Sequence, residues 1–108
     1  MNSSIVSIGI SYPGKPISQS EISRFMQMAH QLDDLESRKL QFFYRISGID
    51  FRHSVLEDFE KKEPNDFSFF PKSKDLNPFP GTKARMEVFQ IEAPRLALKA
   101  SQSALNQA

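Results

Sequence analysis

The 108-residue sequence contains no cysteine and no tryptophan, and it has four glycines. Without cysteine this chain forms no disulfide, no thiolate metal site and no cysteine nucleophile. Neither sign of charge is in clear excess, because the 14 Lys and Arg residues are balanced by 13 Asp and Glu residues, which gives a net charge of +1. This balance excludes the strong basic field of a general nucleic-acid binder, so we expect no nucleic acid as a partner.

Long apolar runs are missing as well. No run approaches the roughly 18 residues that indicate a membrane span, so we expect no membrane contact. The stretch from Met1 to Ile5 has no basic leader ahead of an apolar segment, which argues against a secretory signal. The sequence therefore predicts a cytoplasmic protein. Its length fits one domain of about 100–150 residues, so residues 1–108 are predicted to be a single segment.

Hydrophobic periodicity predicts a mostly α chain with one or two short strands. A nearly continuous β-branched run predicts a strand covered on both faces at 4–11, and 49–55 is a weaker second candidate. Helices are predicted at about 19–31, 33–46 and 82–105. With no second strand as convincing as the first, the chain lacks the sheet that such a strand needs.

The first two helices are amphipathic, with recognisable ends. Ser18 and Glu21 form a capping-box pattern, Asp33 suits a helix start, and Gly48 is typical of a helix stop. Apolar stripes at helical spacing comprise Ile22, Phe25, Met26 and Ala29 in the first helix, and Leu35, Phe42, Phe43 and Ile46 in the second.

The Pro-rich segment 64–81 is irregular but not polar. It carries four phenylalanines, namely Phe67, Phe69, Phe70 and Phe79. A solvated linker would not carry these rings, so we expect the loop to pack on a larger body. The helix at 82–105 is apolar on several faces, which is typical of a buried helix, and Pro94 predicts a kink or a restart within it.

Taken alone, the residues indicate no reaction. His30 and His53 are isolated and lack metal-ligand spacing. Lys39, however, lies about 40° around the second helix from Leu35, inside the apolar stripe. Its ammonium group must therefore extend to the surrounding water, pair with an acidic group, or face a water-filled tunnel. Arg38 and Arg45 flank it. Two interpretations stay open: a solvated basic face, or an edge that binds phosphate through charge-assisted hydrogen bonds.

The stretch 84–97, with Ala84-Arg85-Met86-Glu87 leading into Glu92-Ala93-Pro94-Arg95-Leu96, resembles the N-terminal part of type III polyketide synthases. This is the chalcone-synthase-like branch of the thiolase superfamily. Ile8-Gly9 before Tyr12-Pro13 is similar to the family's first strand and turn. Gln19 and the segment 47–52 also lie where that family has related residues.

The resemblance implies that this chain is the N-terminal fragment of a homodimeric acyltransferase with an α/β thiolase-like fold. The whole enzyme would load acyl-CoA and condense it with malonyl-CoA, using coenzyme A thioesters as substrates and no cofactor. The family's catalytic Cys, His and Asn would lie beyond this sequence, so we expect no catalytic residue here and no activity of the chain alone. The resemblance places a contact with coenzyme A phosphates on Lys39. Two further basic positions fall on Phe42 and Ile46, and Arg38 or Arg45 would have to compensate.

Two alternatives stay open. One is a ketoacyl synthase of the type that starts fatty acid synthesis, and the other is a stand-alone helical interaction module. A cysteine-containing continuation of the reading frame favours an enzyme, whereas a stop codon after Ala108 favours the module. In either case the uncovered apolar strand, loop and helix predict self-association.

Overall fold

The structure is a computed structural model that describes residues 2–108. The described chain is mostly α-helical with two short strands, as predicted. It divides into two compact units. We call Gly14–Gly81 the central unit, and residues 2–13 together with Thr82–Ala108 the terminal unit.

The central unit is built from helices and a minimal sheet. Its elements are β1 (Ile17–Ser18), α1 (Gln19–Ala29), α2 (Asp34–Ile46) and β2 (Phe51–Arg52), followed by 3-10 turns at Glu57–Glu60 and Pro64–Asp66. The strands pair antiparallel, with Ile17 opposite Arg52 and Ser18 opposite Phe51. The weaker strand candidate at 49–55 thus contains a real strand, and the prediction that the chain lacks a sheet is wrong because β1 and β2 form a small one.

Local capping explains where α1 and α2 begin. The Ser18 hydroxyl accepts a hydrogen bond from the Glu21 N–H, and the Glu21 carboxylate accepts one from the Ser18 N–H. Asp33 and Glu36 repeat this capping box at α2. These reciprocal bonds satisfy donors that a helix start leaves free. At the other end of α2, Gly48 has the positive φ of a helix stop, as predicted.

The core of the central unit joins α1 to the Pro-rich loop. Phe25, Ala29, Phe67 and Leu76 are buried. The Phe25 ring lies 4.8 Å from that of Phe59, 5.6 Å from Phe67 and 5.3 Å from Phe70, between ring centroids. The prediction that the loop needs a larger body is therefore wrong for Phe67, because α1 supplies the surface that covers it.

Asp58 holds this loop in place. It is fully buried, and its carboxylate accepts hydrogen bonds from the N–H groups of Ser68, Phe69 and Phe70 and from the Ser68 hydroxyl. Burial by itself would raise the pKa of Asp58, but these bonds favour the charged form, and the net effect is a pKa below the ordinary carboxyl value. The carboxylate thus replaces the backbone partners that an irregular loop lacks.

The terminal unit has a long helix but no buried core. α3 (Thr82–Gln107) passes through Pro94 without interruption, so the predicted restart is wrong. None of its 26 residues, all of them described, is buried. Phe89 and Leu98 are 61% and 60% exposed. The helix predicted to be buried is therefore exposed within the described residues, because nothing in the terminal unit encloses α3.

The strand predicted at 4–11 is also wrong, since these residues form neither a strand nor a helix. The segment lies against α3: the Ser7 hydroxyl donates to the carbonyl oxygen of Ala104 at 2.7 Å. A Cβ atom on Gly9 would overlap the Ala100 carbonyl oxygen, so a glycine permits this close approach. A helix offers no free backbone ladder to a strand, and the β-branched side chains of the segment remain exposed.

Candidate functional site

The apolar stripe of α2 faces solvent. Leu35 is 60% exposed and Phe43 is 63% exposed, and Phe42 and Ile46 are exposed as well. The partly buried residues of α2 are Ser37, Leu40 and Tyr44, which helical periodicity places on the opposite side. A hydrogen bond from Gln41 to Gln27 of α1 links that side to the rest of the unit. The side of α2 that packs is thus the less apolar one.

The three basic residues singled out from the sequence all lie on the exposed part of α2. Lys39, Arg38 and Arg45 are each exposed, and none of them forms an ion pair with a described carboxylate. Pairing therefore does not explain Lys39. The Arg45 guanidinium lies 5.6 Å from the centroid of the Phe42 ring, a cation–π distance. Together these side chains make a basic edge on an open apolar surface.

A cavity of about 580 Å³ lies beside this edge, within the central unit. One side of α1 as far as Gln27, the end of α2 and the segment before β2 form its walls. Arg45 lines the cavity, whereas Arg38 and Lys39 do not. The structure thus brings one of the three predicted residues to a concave site and leaves the other two on the outer surface.

Gln19 and Arg24 also line the cavity, and sequence reasoning gave neither of them a role in binding. Gln19 is 6% exposed, and both its Oε1 and its Nε2 are buried without a hydrogen-bond partner. It precedes Ile22 by three positions, so it lies on the apolar stripe of α1. Like Lys39 on α2, Gln19 is therefore a polar residue inside an apolar stripe.

Other kinds of site find little support in the described residues. Within residues 2–108, no three His, Asp or Glu side chains come together in a way that could hold a metal ion. No described helix combines the length and the apolarity needed to cross a membrane. His30 is exposed at the C-terminal end of α1, where its backbone N–H donates a hydrogen bond to the carbonyl oxygen of Met26.

No protein family, curated protein or solved structure matches this chain. Its function has to be inferred from the residues and from the geometry of the basic edge and the cavity.

Proposed function

We propose that the chain is the N-terminal segment of a type III polyketide synthase-like acyltransferase with an α/β thiolase-like fold. The whole enzyme, a cytoplasmic homodimer, transfers an acyl group from coenzyme A to a cysteine outside this segment. The cysteine forms a thioester, and coenzyme A leaves as the thiol. Condensation with malonyl-CoA then releases carbon dioxide and breaks the acyl–cysteine thioester as the new carbon–carbon bond forms, so the cysteine thiol is regenerated.

The observation that carries this proposal is the position of Lys39. It is exposed inside an apolar stripe, with Arg38 and Arg45 close by on the same helix. A coenzyme A thioester combines charged phosphates with a long, weakly polar arm. A cation surrounded by apolar side chains offers complementary groups to both parts, because phosphate oxygens form strong bonds with ammonium and guanidinium groups.

The sequence 84–97 lends separate support, since it carries the family resemblance and forms the first part of α3. The exposed apolar side chains of the terminal unit fit this role too. Phe89, Ile91 and Leu98 are exposed, as expected for a helix that packs against residues outside this sequence.

The direct test is Lys39→Ala in the enzyme that contains this segment. Loss of one charged hydrogen bond at a wet site costs about 1–2 kcal/mol, so we expect KM for the acyl-CoA to rise roughly 5- to 30-fold with little change in kcat. Lys62→Ala is the control, because Lys62 is an exposed lysine of the central unit that is not part of α2. Unchanged KM and kcat in Lys39→Ala would show that this lysine is merely solvated.

The chain by itself should be inactive. It has no cysteine to accept an acyl group, so the purified 108-residue chain should form no product from acyl-CoA and malonyl-CoA. Product formed at a rate above that of a buffer blank would refute the proposed division of roles.

A second candidate is a stand-alone interaction module, and one observation favours it. The central unit has a core of its own, built by Phe25, Phe67 and Leu76 and fixed by Asp58. Sequencing the transcript distinguishes the two candidates: a continuous frame encoding a downstream cysteine supports the enzyme, and a stop codon directly after Ala108 supports the module.

A further inference from the structure

The most distinctive unexplained group in the molecule is the carboxamide of Gln19. A buried amide that makes no hydrogen bond costs free energy, and folded proteins leave few such groups unpaired. Gln19 has both its donor and its acceptor unsatisfied, yet it lies in the wall of the cavity rather than in the apolar core. A ligand that offers both a donor and an acceptor would satisfy this amide.

The charged groups of the cavity indicate the sign of that ligand. Two guanidinium groups, those of Arg24 and Arg45, line the cavity together with a single carboxylate, that of Asp50. Arg24 is weakly engaged, because its two terminal nitrogens reach one carbonyl oxygen, that of Lys61, at 3.4 Å each. Arg45 forms no ion pair with a described residue. Both guanidinium groups therefore have N–H donors available to bind an oxyanion.

The size and lining of the cavity indicate a polar body. Its volume of about 580 Å³ falls in the usual range of small-molecule sites, roughly 300–1,000 Å³. Apart from Ile49, the lining consists of side chains with hydrogen-bonding groups, among them Ser20 and Tyr44. A bare inorganic anion would leave most of this surface unused.

We propose that this cavity binds a small organic phosphate whose body carries hydroxyl or amide groups, such as a sugar phosphate. Arg45 and Arg24 bind the phosphate, and the Gln19 amide turns from its buried position to pair with a donor and an acceptor of the body. The site shares Arg45 with the proposed coenzyme A contact but not Lys39 or Arg38, which do not line the cavity.

The test follows amide and side-chain NMR signals of the 108-residue chain during titration with ribose 5-phosphate, inorganic phosphate and ribose at constant ionic strength. We expect saturable shifts at Gln19 and Arg45 with ribose 5-phosphate, at least roughly tenfold tighter than with inorganic phosphate, and none with ribose. The absence of saturation with ribose 5-phosphate up to roughly 10 mM would overturn the proposal.

Variants separate the site from general charge attraction. Arg45→Gln should weaken ribose 5-phosphate binding at least roughly tenfold, and Lys39→Ala should leave it unchanged. Arg52→Gln is the matched control, since Arg52 is an exposed arginine of the same unit outside the cavity lining. Equal weakening by Arg45→Gln and Arg52→Gln would show non-specific attraction and overturn the proposal.

Gln19→Met distinguishes a binding group from a packing defect. Methionine has nearly the same length but no amide, so the variant should raise the melting temperature by removing the unsatisfied buried group. Under the proposal it also loses ribose 5-phosphate binding. A more stable variant that binds as tightly as the original chain would show that the amide serves no ligand, and would overturn the proposal.

Discussion

The two units of the chain distribute order and burial in opposite ways. The central unit contains short helices, two-residue strands and a Pro-rich loop, yet it holds every buried apolar side chain found among the described residues. The terminal unit contains the longest helix, α3, and buries none of that helix's residues. Regular backbone structure and a buried core are therefore separate properties in this protein, since a helix satisfies its own backbone bonds without any tertiary partner.

The difference has a physical origin in how each unit closes. In the central unit, the Asp58 carboxylate ties backbone N–H groups of the loop at residues 68–70, and this fixes Phe67 against Phe25. In the terminal unit, the N-terminal segment contacts α3 through small residues. Ser7 and Gly9 of this segment lie against Ala100 and Ala104 of α3. Small groups permit close approach but bury little apolar area, so they stabilise weakly.

The largest expected effect contrasts one phenylalanine in each unit. Phe25→Ala removes the central ring of the core and should lower the free energy of unfolding by about 3–5 kcal/mol. Phe89→Ala truncates a 61% exposed ring on α3 and should change the free energy of unfolding by less than about 0.5 kcal/mol. Hydrogen exchange of the α1 amides measures the first change and that of the α3 amides the second. A loss of several kcal/mol from Phe89→Ala would mean that α3 is covered in solution.

Asp58→Asn tests what closes the central unit. The asparagine keeps the size but loses the charge, and its NH₂ group faces N–H donors, so we expect a loss of about 3 kcal/mol in the free energy of unfolding. Asp66→Asn, at an exposed position of the same loop, is the control and should leave stability unchanged. Chemical denaturation near neutral pH measures both. Equal stability of the two variants would show that the loop does not depend on the buried carboxylate.

The same carboxylate predicts a pH dependence. The pKa of Asp58 is lower in the folded chain than the ordinary value of 3.8, so the folded state binds fewer protons in this range. Its contribution to stability is fully present above the ordinary pKa and is lost as the pH falls through the lower folded pKa. Asp58→Asn should therefore show a smaller loss of stability on acidification than the original chain. Identical pH profiles would contradict this assignment.

Sequence patterns predicted the helices well and their surroundings poorly. The capping boxes led by Ser18 and Asp33 depend on residues three positions apart, so they can be recognised locally. The side of α2 that packs and the exposure of α3 depend on which other parts of the chain are available, and no local pattern contains that information. The hydrogen bonds of Asp58 reach residues 68–70, about ten positions away, so no local pattern predicts them either. Of the residues that line the cavity, Arg45 is singled out by its position beside Lys39, whereas Gln19 is not, although it too is a polar residue inside an apolar stripe.

Gly9→Ala tests the weaker contact of the terminal unit. The added methyl group would overlap the Ala100 carbonyl oxygen and crowd the Ala104 nitrogen, so we expect a loss of about 1–2 kcal/mol for docking of the segment on α3. Limited proteolysis within residues 2–13 should become roughly tenfold faster. Gly81→Ala is the control, because its new methyl group would meet nothing within 4 Å. If both variants are cleaved at the same rate as the original chain, the segment does not depend on this contact.

The smallest expected effect on stability comes from self-association of the terminal unit. Its exposed apolar side chains, such as Ile8 and Leu98, can be covered by a second copy of the chain. At a protein concentration near the dissociation constant, such pairing adds only about 0.4 kcal/mol, so it should appear as a melting temperature that rises slightly with concentration. If the dissociation constant lies in the micromolar range, a concentration of tens of micromolar favours the dimer. Sedimentation at that concentration should then show a species of twice the chain mass.

Paired substitutions identify which unit is responsible for the association. Ile8→Ser and Leu98→Ser should each reduce it, while Leu35→Ser, at a position 60% exposed on α2, should not. The reverse result would show that the exposed apolar stripe of α2 mediates the association. The two units would then no longer differ in which of them self-associates. If the chain is a monomer at every concentration, the exposed apolar side chains of the terminal unit do not form a continuous patch large enough to drive association. Isolated apolar side chains on a protein surface are common and need no partner. In that case the terminal unit would remain a helix without a partner, and the central unit alone would account for the cooperative unfolding of the chain.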